Sequence, residues 1–135
     1  MRERLKSLKR IVEVQRHLYS LEEVKYARLQ TQLAECQASQ RELAEALSSD
    51  EALHGLFTDM TVRRLKSLRQ EEARLTPEVE AQARVMVAHG GRLRNWERLS
   101  DEIAVTVRRL EERDELERLL EAGFAQEAAS SEQDL

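Results

Sequence analysis

The chain has 135 residues, of which 36% are charged and only 4% aromatic, with one proline, one cysteine and a formal net charge of −4. That length allows one domain. The charge balance gives no overall basic character of the kind that marks nucleic-acid binders, and no apolar run approaches the ~20 residues needed to span a bilayer.

Met1-Arg2-Glu3-Arg4-Leu5-Lys6 has no apolar run behind it, so no secretory signal is expected. A first helix is predicted over about 2–47. Its apolar seam reads Leu5, Val12, Tyr19, Tyr26, Leu33, Gln40 and Leu47, with Leu8, Gln15, Glu22, Leu29, Cys36 and Leu43 interleaved. Alternation of three and four is the a/d pattern of a helix that lies against another helix. A second stripe, Ile11, Val14, Leu18 and Leu21, runs beside Val12 and Tyr19. It either widens the helix–helix interface or offers a docking surface for another protein.

A turn is predicted over about 48–56, where Ser48-Ser49-Asp50-Glu51-Ala52-Leu53-His54-Gly55 concentrates residues that compete with helical hydrogen bonding. A second helix is predicted over about 57–121. Its seam runs through Leu65, Leu68, Glu72, Leu75, Val79, Gln82, Met86, His89, Leu93, Trp96, Ser100, Ile103, Val107 and Leu110. The seven-residue phase survives Pro77 and Gly90-Gly91, and an inserted loop would have no reason to restore it. The fold expected is therefore all-α: one domain, 1–122, formed by a long antiparallel two-helix coiled-coil hairpin with a kinked second helix. The alternative is a three-helix arrangement broken at Thr76-Pro77, since that dipeptide also looks like a helix start. Folding about His54-Gly55 sets Leu33 opposite Leu75, Tyr26 opposite Gln82 and Tyr19 opposite His89, and a shift of one heptad fits nearly as well. Residues 123–135 have no seam and are expected to form a flexible acidic tail.

Chemistry is sparse. His17, His54 and His89 are scattered and make no metal-ligand cluster with Cys36, which reads as a buried reduced thiol. No phosphate loop, nucleophile elbow or Cys-x-x-Cys occurs. The sequence points to no enzyme, no cofactor, no metal and no small-molecule substrate.

Charge is unevenly spread. Arg2, Arg4, Lys6, Lys9 and Arg10 face only Glu3 in the first ten residues, whereas 35–59 is acidic. The basic end suits an acidic protein ring, an anionic membrane or nucleic acid, although the lack of stacking aromatics disfavours single strands. Arg108 and Arg109 are predicted to lie beside it, where the second helix overshoots the first from about Ala104 to Leu120.

A charged amphipathic first helix, a Ser/Asp-containing reversal and a longer second helix carrying Trp96-Glu97-Arg98-Leu99 resemble the FliJ/YscO proteins of type III export systems. The likeness spans most of 2–121. It implies a monomeric cytoplasmic stalk, peripheral at the inner face of the membrane when assembled. The stalk would insert into the export ATPase ring and touch the export gate membrane protein and some export chaperones. The family's gate contact lies early in the second helix, where this chain has Phe57 and Met60, with Arg64 where another apolar residue would extend their stripe. The competing reading is a self-associating structural coiled-coil scaffold.

Overall fold

A computed structural model describes residues 1–49 and 55–133, the side chain of Leu56 apart. It contains two helices, α1 (Arg2–Ser48) and α2 (Gly55–Gln133). Both are rich in Leu, Ala, Glu, Gln and Arg, which lose little side-chain freedom in a helix. Most of the turn expected over 48–56 lies outside the described residues. α1 stops at Ser48, whose hydroxyl donates back to the Glu45 carbonyl at 3.0 Å. The described helices group into two compact units, Gln15–Leu93 and Met1–Val14 with Arg94–Leu135.

In the first unit the helices run antiparallel. Cys36 Sγ donates to the Leu68 carbonyl at 3.1 Å, and Gln40 Nε2 reaches the same carbonyl at 3.5 Å. Further along, Gln82 Nε2 donates to the Glu22 carbonyl at 3.2 Å. Cys36, Leu68 and Leu75 form the buried core, with Leu29, Leu33 and Leu43 packed against it. Leu75 is only 1% exposed. Burying such a side chain contributes roughly 1.5–3 kcal/mol, enough for a few layers to outweigh local helix breakers.

That balance explains why α2 is continuous through Thr76-Pro77, against the three-helix alternative. Pro77 costs ~3 kcal/mol in a helix interior. Its ring lies on the exposed face, while Leu75 before it and the half-buried Val79 after it hold the helix to α1. Thr76 Oγ1 turns back to the Glu72 carbonyl at 2.8 Å. Gly90 has a positive role. A Cβ there would lie 3.3 Å from Cε2 of Tyr19, so the missing side chain lets the tyrosine ring approach the α2 backbone. Gly91 meets nothing within 4 Å.

In the second unit Leu8, Val12, Ser100 and Val107 are buried and Leu5, Trp96 and Ile103 half-buried. Arg2 Nε pairs with Glu111 at 3.0 Å, so α1 accompanies α2 as far as Glu111 rather than stopping near Ala104. α2 then runs on to Gln133, past the end expected near 121 and through the segment expected to be a tail. A lone Gly123 costs only ~1 kcal/mol, and its neighbours are alanines, leucines, glutamates and glutamines, all good helix formers. Among the described residues, every side chain from Glu111 to Gln133 is exposed.

Candidate protein-binding surfaces

The seam is where polar groups are most constrained. Glu22 and Gln82 face one another: Gln82 Nε2 donates to Glu22 Oε2, and Lys25 lies 3.5 Å from Oε1. The Gln82 amide holds the Glu22 carboxyl below its ordinary value of 4.5; burial opposes this, and Lys25 and His89 support it. Gln82 was expected to face Tyr26. It takes Glu22 one turn away instead, because a carboxylate is a stronger acceptor than a phenol. The Tyr26 hydroxyl accepts from Gln30 Nε2 at 2.9 Å. A second pair repeats the chemistry with the helices exchanged: Gln40 Nε2 donates to Glu72 Oε2, and Gln37 Nε2 reaches Glu72 Oε1 at 3.4 Å. His89 is half-buried on the seam, and its buried Nδ1 has no hydrogen-bond partner among the described residues.

The residues singled out for partner binding separate by burial. Arg2, Arg4, Lys6, Lys9 and Arg10 are all exposed in the unit that also holds the exposed Arg108 and Arg109. Val14 in that unit, and Leu18 and Leu21 in the other, are exposed large apolar side chains. Ile11 is half-buried beside the buried Val12, so it belongs in part to the seam rather than to an open stripe. Phe57 and Met60 are exposed at the start of α2, with buried Thr61 next to them donating to the Phe57 carbonyl at 2.7 Å. Arg64 is exposed on the same stretch.

One surface escaped the sequence reading. Beyond Glu111 the seam positions carry Asp114, Glu117 and Glu121 before Phe124, while Leu116, Leu119 and Leu120 lie on another face; all four apolar side chains are exposed. The change of phase was visible in the sequence, as a 3–4 spacing that restarts at Leu116 out of step with Leu110.

The grooves between the helices are open. One is bordered by Gln37, Gln40, Leu65, Arg69 and Glu72, another by Met1, Arg2, Val107, Leu110 and Glu111. Among the described residues no group of three His, Cys, Asp or Glu could hold a metal ion, and no helix is long and apolar enough to cross a membrane. These surfaces are suited to contact with other macromolecules through exposed cations and exposed apolar stripes. No protein-family model, curated protein or solved structure matches the chain.

Proposed function

We propose that the chain is a non-enzymatic coiled-coil stalk of a type III protein-export apparatus, working in the cytoplasm at the inner face of the membrane. In this reading it inserts into the export ATPase ring, links the ring to the export gate and takes export chaperones as further partners. The observation that carries the reading is the division of labour in the unit Met1–Val14 with Arg94–Leu135. Where the two helices of that unit pair, Leu8, Val12 and Val107 are consumed by the helix–helix contact, while Arg4, Lys6, Lys9 and Arg10 on the same stretch are exposed to a partner. A shaft seated in a ring needs that combination over its paired length: a stiff helical pair that turns its apolar seam inward, and exposed cations that attract the ring.

Exposed ion pairs contribute ~0–1 kcal/mol each, so the attraction is shared among several charges. The test is co-purification with a hexameric export ATPase, followed by reversal of Arg4, Lys6, Lys9 and Arg10 to glutamate together. The quadruple variant is expected to keep its helicity and to lose ATPase association, most visibly at low salt where screening is least. Normal binding and stimulation of the ATPase by that variant at low ionic strength would sink the reading. The gate arm uses Phe57→Ala with Met60→Ala, which should weaken binding to a gate-type partner with little loss of stability, because both side chains are exposed.

A further inference from the structure

The overhang of α2 beyond Glu111 has an apolar stripe that nothing in the described chain covers. Leu116, Leu119, Leu120 and Phe124 are 58%, 64%, 53% and 68% exposed. They follow helical spacings of three and four, so they share one side of α2. The acids Asp114, Glu117 and Glu121 occupy the first three positions that would have prolonged the seam, ahead of Phe124, so a helix continuing the α1 contact would meet carboxylates first.

The stripe is symmetric about its middle. Arg113, Leu116, Leu120, Phe124 and Glu127 are spaced three, four, four and three. Turned end for end and laid on a copy of itself with Leu120 at the two-fold axis, Leu120 meets Leu120 and Leu116 meets Phe124. Arg113 then meets Glu127, and each contact occurs twice, as a two-fold interface requires. A parallel pairing would set Arg113 against Arg113 and Glu127 against Glu127, so charge selects the antiparallel arrangement.

We propose that the α2 overhang, centred on Leu120, is a homodimerisation site through which two copies of this chain pair antiparallel. Arg113 Nε now lies 3.4 Å from Glu117 of its own helix, both side chains being largely exposed, so it is available to the partner's glutamate. The interface is small. Three apolar side chains from each copy, Leu116, Leu120 and Phe124, give roughly 100 Å² each, about 600 Å² over both copies, which with the Arg and Glu stems stays below the ~1,200 Å² lower edge of specific interfaces. The dimer is therefore weak, and the monomer expected when free is its dilute limit. No ATPase or gate takes part, so this pairing stands or falls independently of the stalk reading.

Sedimentation velocity of the full chain from about 5 to about 500 µM reads the equilibrium directly. The weight-average mass is expected to rise toward that of a dimer. Leu120→Glu, which places two carboxylates at the axis, should weaken pairing at least about tenfold. Arg113→Glu and Glu127→Arg should each weaken it, and the double swap should restore it. All three positions are exposed in the monomer, and circular dichroism checks that each variant stays helical. A chain that remains monomeric at 500 µM overturns the proposal and leaves the stripe to a different protein. A dimer indifferent to Leu120→Glu overturns the site, and a double swap that fails to restore pairing overturns the antiparallel register.

Discussion

Alanine at Gly91 should stabilise the protein by about 1 kcal/mol, whereas alanine at the adjacent Gly90 should gain only about 0–0.5 kcal/mol. The two positions share the same helix and neither has a positive φ, so both begin with the same helix-propensity advantage over glycine. At Gly91 the new methyl meets nothing within 4 Å and keeps the whole gain. At Gly90 it lies 3.3 Å from Tyr19 Cε2 and 3.8 Å from Cδ2 and Cζ, so the ring must tilt by a few tenths of an ångström. Urea unfolding followed by helical circular dichroism measures both; the larger gain corresponds to a melting temperature rise of about 3–5 °C for a chain of this size. In a Tyr19→Ala background the Gly90 substitution should recover the full benefit, giving a coupling of roughly 0.5 kcal/mol in the double-mutant cycle. Equal gains at the two glycines with Tyr19 present would refute the ring contact. A loss at Gly91 would refute the continuous helix, since only a backbone that leaves helical angles there would need glycine.

Leu75→Ala should cost about 2–5 kcal/mol in the same assay, because this side chain is almost wholly enclosed, while Leu116→Ala should leave the monomer within about 0.5 kcal/mol of the parent. Comparable losses at both sites would mean that the overhang is packed. Glu22 makes stability depend on acid. Its folded value lies below the ordinary 4.5 because Gln82 and Lys25 favour the carboxylate, so its contribution is present above that ordinary value and is lost as pH falls through the folded one. Glu22→Gln should therefore flatten the decline of stability below pH 4.5, and an unchanged acid profile would show that the Gln82 contact does not form.

The helical pairing was legible because heptad spacing reports one physical fact, which side chains leave water. Seam positions from Leu5 to Leu47 and from Leu65 to Val107 are all buried or half-buried, polar ones included. The register was legible only to within a heptad, because leucine opposite leucine looks the same after a slip of seven. Gln40 reaching the Leu68 carbonyl and Tyr19 lying over Gly90 select the register that folds about His54-Gly55. Polar partners were harder to read, since long side chains cross between layers: Gln82 chooses Glu22 over Tyr26 through acceptor strength, which spacing does not encode. A tail was expected over 123–135 because those residues have no seam, yet α2 reaches Gln133 because the alanines and glutamates around Gly123 favour helix without a partner. The stripe from Leu116 to Phe124 was missed with it, because only a helical end gives those leucines a common face.

The two Gln–Glu pairs bear on how the antiparallel helices respond to shear. Glu22 on α1 meets Gln82 on α2, and Gln40 on α1 meets Glu72 on α2. Sliding α2 by one heptad would bring Leu75 or His89 to Glu22, and Leu65 or Val79 to Gln40. In the direction that brings Leu75, a carboxylate would be pressed against an apolar side chain while its former amide lost its acceptor. Leucine layers alone would pass one another with little penalty, so resistance to sliding resides in these polar layers. A pull along one helix is thus handed to the other through two amide–carboxylate latches, and the pair moves as a unit instead of creeping past itself.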